Sequence, residues 1–346
     1  MSETLVSHSR LAAFTAACLE KLGLVPADAR LVAETLVAAN LRGVDSHGVV
    51  RLPHYATRLR NGTVKPRPNI VVQRTGSSTA MVEGDAGMGQ LVAVRAMQEA
   101  IALARQTGVG AVGARNSSHC GACAYFVELA VKQGMVGVAL THTDPIMVPP
   151  GMKRIFLGSN PIAFGAPGLR QPPVIIDMST THVAWGKVIV ARQEGNRIPP
   201  DWGIDAQGRP TTDPGQVVGL APTGGHKGYA LALMIEILCA HLAGVPFGLH
   251  VTKMYGELDK PRDLGHFMLA LDVARFTDPE TFRSQIDLFL KEIRAQEAAD
   301  PARPPLAPGD PERLSAERRA KDGVPLGEGV LGELTSLAAE LGVAKL

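Results

Sequence analysis

Gly84-Asp85-Ala86-Gly87-Met88-Gly89-Gln90 lies between an apolar run, Thr79-Ala80-Met81-Val82, and a segment of helical periodicity that continues to about Ala104. A glycine turn from strand into helix is where Rossmann proteins seat the pyrophosphate of a dinucleotide. Two marks of that fingerprint are missing here. Val92 stands where the third glycine belongs, and no acidic residue closes the next strand near Val112. The stretch therefore reads as a tight turn joining a strand to a helix, and a Rossmann sheet is not expected.

Working outward from this turn, Ile70-Val71-Val72 precedes it as a strand. Short β-branched runs follow at Val109 to Val112, Val136 to Leu140 and Val174 to Ile176, with a helix expected from Ala122 to Gln133. Gly228 to Leu242 is apolar on nearly every face and predicts a buried helix, and His266 to Val273 predicts a returning strand. The alternation predicts an α/β fold on a mixed sheet. At the N-terminus, Ser9 is placed to cap a helix through about Leu22, and Pro26-Ala27-Asp28 opens a second that ends at Gly43. Toward the C-terminus, Thr281 to Ala298 alternates apolar and charged residues. Asp300 to Pro325 is Pro-rich and charged and is expected to wander over the surface before a short last helix from Leu331.

A chain of 346 residues, 45% hydrophobic and 20% charged, has the means to bury one large core or two smaller ones. Lys plus Arg number 35 and Asp plus Glu 33, and the net charge of +2 includes no block able to hold a nucleic acid backbone. Met1-Ser2-Glu3-Thr4 lacks the parts of a signal peptide, and no stretch reaches the roughly 18 apolar residues of a membrane span. A cytoplasmic protein with no nucleic acid and no membrane partner is expected. Cys18, Cys120, Cys123 and Cys239 are too scattered for a disulfide framework and are expected as free thiols.

Two clusters concentrate chemistry. Arg42 to Tyr55 packs Asp45, Ser46, His47, Arg51 and Tyr55 around glycines just after a helix. His47 can transfer a proton near neutral pH, Asp45 can fix its tautomer, and Arg51 offers a planar fork for a carboxylate. The alternative is a polar helix-exit loop with a surface histidine. The second cluster, Arg115 to Cys123, follows a strand and opens a helix. Ser118 and His119 adjoin in sequence and do not make a nucleophile with its base. Cys120 and Cys123 have zinc or redox spacing but no second pair, and read better as buried thiols. The runs Thr141 to Pro145, Gly158 to Gly165, Ile176 to Thr181 and Gly224 to Tyr229 are capping loops or, taken together, a seat for an extended anion, with Lys227 at a helix start.

The runs Arg42 to Tyr55, Asn116 to Gly121, Thr143 to Pro150, Gly158 to Pro167, Asp177 to Lys187, Pro210 to Pro214 and Gly225 to Glu236, in this order, resemble the malate/L-lactate/ureidoglycolate dehydrogenase family of NAD(P)-dependent oxidoreductases. That family includes sulfolactate dehydrogenase, diketogulonate reductase and piperideine-2-carboxylate reductase. The resemblance implies a non-Rossmann NAD(P)-binding domain on a mixed β-sheet, plus an α-helical domain formed by N- and C-terminal segments. It divides the chain into 1–70, a helical substrate segment, 71–275, the cofactor domain, and 276–346, a return to the helical domain. It also implies a homodimer with shared active sites. By resemblance His47 and His119 compete for the proton, with His47 ranked first. Ser46, Arg51 and Tyr55 match substrate positions. Thr143, Asp177, Met178, Ser179, Lys187, Lys227, Gly309 and Asp310 fall at or near positions for NAD or NADP. The chain departs from the family at Cys120, commonly aromatic, at His142, commonly Asn, and at Asp310, commonly Glu.

The expected reaction moves hydride to or from C2 of a small 2-oxo, 2-hydroxy, 2-imino or 2-amino carboxylic acid, with Arg51 on the carboxylate. His182 and Arg192 are candidates to read a 2′-phosphate or, equally, surface residues, and no resident metal is expected. Two rivals stand beside this: a metal-dependent hydrolase or lyase with His47, His119 and His142 as ligands, and a non-catalytic protein that binds a dinucleotide.

Overall fold

The computed structural model describes residues 3–346. β1 (Glu3–Val6) leads into α1 (His8–Lys21), where Ser7 Oγ accepts the Arg10 amide at 3.4 Å. The cap is therefore Ser7; Ser9, expected in that place, already lies in the first turn. α2 (Pro26–Leu41) begins on a proline, whose missing N–H is not needed at that position. Two single 3₁₀ turns, Asp45–His47 and Val49–Arg51, join α2 to α3 (Leu52–Arg60). Leu11, Leu19, Leu36 and Leu52 from this unit pack into one core with Val324 and Leu334 from the far end of the chain.

The middle of the chain builds the sheet. β2 (Val71–Arg74) and β3 (Thr79–Glu83) precede α4 (Gly89–Thr107), β4 (Val109–Ser117), α5 (Ala124–Val131), β5 (Met135–Thr141), β6 (Ile162–Ala166) and β7 (Val174–Met178). After α6 (Trp185–Glu194), three two-residue strands, β8 (Gly203–Ile204), β9 (Pro210–Thr211) and β10 (Gly219–Leu220), form a small sheet of their own. α7 (His226–Glu236) runs into one π turn, and β11 (Leu264–Asp272) follows. The main sheet has seven strands in the order β2-β3-β4-β11-β5-β6-β7. Only β3 and β4 pair in parallel, across the α4 crossover. The expected mixed sheet is formed, and the returning strand inserts at its centre, paired to β4 and β5. Val92, Met97, Leu103, Phe126 and Val127 of α4 and α5 bury against it.

Two expectations need correction. The helix expected to be buried on nearly every face is α7 with its π turn, and Leu233, Met234, Ile237 and Leu242 are exposed in the single chain. The stretch expected to wander, 300–325, contains α9 (Asp310–Asp322), which follows α8 (Pro279–Arg294), and β12 (Val324–Gly327) begins in it. α9 has little apolar periodicity to reveal it; ion pairs made by Asp310 at its start and Arg319 near its end tie it to the rest of the fold. β12 pairs antiparallel with β1, and α10 (Glu328–Leu341) closes the helical unit, three residues earlier than expected. Among the described residues no helix is long and apolar enough to cross a membrane.

Candidate active site

The turn after α2 is built on Asn40. Its buried side chain accepts the Val49 amide on Oδ1 at 2.9 Å and donates Nδ2 to Asp45 at 2.6 Å. A Cβ on Gly48 would sit 2.2 Å from Asn40 Oδ1, so only glycine lets the chain pass. Arg319 of α9 grips Asp45 with both ends of its fork, at 2.7 and 3.0 Å. Asp45 is thus a clamp between the N-terminal turn and a C-terminal helix. The expectation that it orients His47 is corrected: the ring partner of His47 is Ser46, whose Oγ lies 3.0 Å from Nδ1.

The clamp presents His47 to His119, which arrives from the end of β4. The two rings stack with centroids 5.6 Å apart and planes 27° apart. Tyr55, buried on α3, places its hydroxyl 2.7 Å from His119 Nδ1 and accepts a bond from Gln90 Nε2 at 3.0 Å. Arg51 donates Nε to the Ser46 carbonyl at 2.5 Å, and Nη1 to the hydroxyl of Tyr255. The Gly84–Gln90 turn explains the proximity of Gln90. Its Gly84 and Ala86 amides bond the Arg115 and Asn116 carbonyls at 2.9 and 2.8 Å, which lays the start of α4 along the end of β4. A Cβ on Gly89 would meet the Ser118 carbonyl at 2.2 Å.

Burial, reinforced by the Arg51 guanidinium, lowers His47 to about 4 and holds His119 well below the usual imidazole range. Burial also pushes the Tyr55 phenol upward. At neutral pH the pocket therefore offers two neutral imidazoles beside a cationic fork.

The other histidine of the metal-site rival turns inward. His142 is buried, with Nε2 3.1 Å from the Pro246 carbonyl, and the Gly265 amide donates to Nδ1 at 3.3 Å. It cannot share a metal with His47 and His119, and among the described residues no three His, Cys, Asp or Glu side chains are placed to hold one. Cys120 and Cys123 are buried and free, as are Cys18 and Cys239.

The expected cofactor residues gather at the ends of β5 and β7. Thr143 donates its amide to Asn160 at 3.0 Å and accepts the Ser159 amide on Oγ1 at 3.0 Å; Ser159 in turn accepts the Thr180 amide at 2.8 Å. Asp177 accepts the Ala124 amide at 2.7 Å, and burial raises its carboxyl to about 6. Met178 is exposed at the rim, and Ser179 bonds Thr181. Gly309 (φ +91°) crosses Ile175 so closely that a Cβ would lie 2.3 Å from its carbonyl oxygen. The first turn of α7 joins this group through the Thr223 amide, 2.9 Å from the Thr180 carbonyl, and Lys227 stands exposed there after Gly224 and Gly225. Exposed glycines, a helix start and a solvated ammonium fit a dinucleotide phosphate.

Four candidates sit differently. Asp310, expected at or near a cofactor position, spends both oxygens on Arg294, at 2.8 and 2.9 Å, and on the Ala307 amide, and acts here as an internal brace. His182 lies 2.8 Å from Asp201, and Arg192 bonds the Pro214 carbonyl, so neither is a free phosphate reader. Lys187 lies over the Trp202 ring at 5.9 Å. Sequence reasoning missed Asn40, Gln90, Tyr255 and Arg319. Gln90 alone gave a signal, as the last residue of the glycine turn.

Residues 6–335 match the malate/L-lactate dehydrogenase family. The chain is 39% identical to L-sulfolactate dehydrogenase of Methanothermobacter thermautotrophicus over 90% of each chain. It is 37% identical to the NAD(+) ureidoglycolate dehydrogenase of Escherichia coli K12, over 91% of this chain and 90% of that one. The solved sulfolactate dehydrogenase of Methanocaldococcus jannaschii superposes with a TM-score of 0.93 at 34% identity, over 98% of both chains. With family and fold in agreement over nearly its whole length, the chain belongs to the malate/L-lactate dehydrogenase family of oxidoreductases.

Proposed function

We propose that this protein is an NAD- or NADP-dependent oxidoreductase acting at C2 of a small 2-oxo/2-hydroxy or 2-imino/2-amino carboxylic acid. The observation that carries it is the stacking of His47 on His119 beside the Arg51 fork, in a chain whose exposed Gly224, Gly225 and Lys227 suit a dinucleotide phosphate. Bound nicotinamide supplies the hydride acceptor or donor, held by the Thr143, Asp177 to Ser179, Lys227 and Gly309 segments. The rest is done by the chain. Arg51 and Ser46 bind the substrate carboxylate, which displaces Tyr255 from the guanidinium. In oxidation the C2–H bond leaves with its electron pair as hydride, and the hydroxyl proton passes to an imidazole.

His119 takes that proton in our reading, a change from ranking His47 first. Its Nδ1 is anchored by Tyr55, itself held by Gln90, whereas His47 bonds only the exposed Ser46. A base oriented by a third group keeps one nitrogen aimed at the reacting atom. His47 stacks on the ring and polarises the C2 oxygen.

We place the protein in the cytoplasm as a homodimer with shared active sites. Four free cysteines suit a reducing compartment, and the exposed Leu233 and Met234 of α7, with Ile237 just after it, suit a partner copy. Residues 1–70 and 276–346 form the helical part in this view, and 71–275 the cofactor part. Nicotinamide absorbance, followed with a panel of 2-oxo and 2-hydroxy acids and each cofactor, tests the assignment. Turnover of at least one acid is expected; none with either cofactor would overturn it.

A further inference from the structure

Gln90 has no place in the scheme above beyond its bond to Tyr55, yet its surroundings are unusual. Its side chain is fully buried, Nε2 donates to the Tyr55 oxygen at 3.0 Å, and Oε1 has no hydrogen-bond partner. A methionine or leucine would fill the space without stranding a carbonyl oxygen, so packing alone does not account for an amide here. The helix start that carries it is pressed against the backbone of Ser118 and His119 through Gly89, which leaves Gln90 little freedom to withdraw.

The consequence is a question of proton count. Tyr55 has one hydroxyl proton and two neighbours, Gln90 and His119 Nδ1. With the Gln90 N–H donating to its oxygen, the buried Tyr55 proton finds its acceptor at Nδ1 and would otherwise be stranded, so the neutral imidazole carries its proton on Nε2. If Oε1 faced Tyr55 instead, the hydroxyl would donate to the amide, His119 would donate from Nδ1, and Nε2 would be bare.

We propose that Gln90 is a positioning residue that sets, through Tyr55, which ring nitrogen of His119 carries the proton. The inference rests on the assignment of proton transfer to His119. Turning the amide by half a rotation exchanges the two states without moving the ring. One offers an N–H hydrogen bond to a C2 oxygen, and the other offers a bare nitrogen that accepts a C2 hydroxyl proton and returns it from the imidazolium in reduction. Gln90 is fully buried and reaches the imidazole only through Tyr55.

The test reads the tautomer directly in the unliganded full-length protein. Histidine ring nitrogens are labelled with ¹⁵N, and the His119 signals among the 10 histidines are assigned by their loss in His119→Asn. The unaltered protein is expected in the Nε2–H form at neutral pH. Gln90→Glu, studied at alkaline pH where the carboxylate is ionised, accepts the Tyr55 proton and moves His119 to the Nδ1–H form. Gln90→Met offers neither donor nor acceptor and leaves a mixture. With a hydroxy acid substrate, kcat in Gln90→Met is expected to rise roughly several-fold with little change in KM, because part of the population then presents a bare Nε2 to the hydroxyl proton. An unchanged tautomer in Gln90→Met overturns the proposal, and that variant decides alone if the glutamate does not fold. An unaltered enzyme inert toward every acid would strike the functional assignment instead, since the nitrogen signals do not depend on turnover.

Discussion

Protonating the pocket gives a direct test of its electrostatics. His47 lies at about 4 against an ordinary 6.5, which corresponds to a roughly 300-fold weaker hold on a proton. His119 shifts in the same direction for the same causes, burial and then Arg51. At pH 7 only about one His47 ring in a thousand is charged. Because the lowered pKa favours the neutral form, that form is lost only as pH falls through about 4. With His119, the accepting base, held well below the usual imidazole range, kcat/KM for oxidation of a hydroxy acid should stay flat from about pH 8 through the ordinary imidazole value of about 6.5 and fall only at more acid pH. Reduction needs the imidazolium, so its kcat/KM should rise as pH falls toward the same limit. Arg51 contributes to the shift, so an anionic substrate seated on its fork should return part of it and draw a proton into the complex. Calorimetry of 2-oxo acid binding in two buffers of different ionisation enthalpy measures that uptake. An acid limb near 6.5 in oxidation, or binding without proton uptake, would refute the account.

Four substitutions probe the rest of the design. Asp45→Asn breaks the fork to Arg319 and should lower stability by about 1–2 kcal/mol in urea unfolding, with the pH profile unmoved; a hundred-fold loss of kcat at full stability would restore Asp45 as an orienter. Gly89→Ala forces a Cβ against the Ser118 carbonyl and should cost about 1–3 kcal/mol together with activity, since relief requires shifting the His119 backbone. Arg51→Lys replaces a fork with a point charge and should mainly raise KM for the acid, about tenfold or more; an unchanged KM would remove Arg51 from the carboxylate. Ile237→Glu, at an exposed apolar position after α7, should give a monomer in sedimentation if that face meets a second copy.

The parts of the fold legible in the sequence were those with strong periodicity. Val136 to Leu140 and His266 to Val273 announced themselves by β-branched and apolar residues, and both lie in the middle of the sheet. α9 was illegible for the opposite reason: Asp310 to Asp322 has a charged surface all round and is anchored by ion pairs to residues far away in sequence. The exposed side of α7 misled because a helix that is apolar all round reads as buried, and a single chain does not cover it. At the site, His47, His119 and Arg51 are visible as residue types, but a pairing of Asp45 with His47 rests on adjacency in sequence alone. Two residues apart in sequence, Asp45 and His47 turn to different partners, because Arg319 competes for the carboxylate from 274 positions away.

The Gly84–Gln90 turn shows why a failed motif need not be an idle one. In a Rossmann protein the glycines let a pyrophosphate approach the backbone. Here they let another stretch of backbone approach: Cβ atoms on Gly84 and Gly89 would lie 2.8 Å from the Arg115 carbonyl and 2.2 Å from the Ser118 carbonyl. Asp85 and Ala86 take left-handed conformations between them, and Lys65 and the Asn69 amide pin Asp85 in place. The same steric permission that elsewhere serves a ligand thus brings the start of α4 under His119. Glycine content alone cannot distinguish the two uses. What separates them is the neighbour the missing Cβ makes room for, and in this chain that neighbour is the backbone of Ser118 and His119.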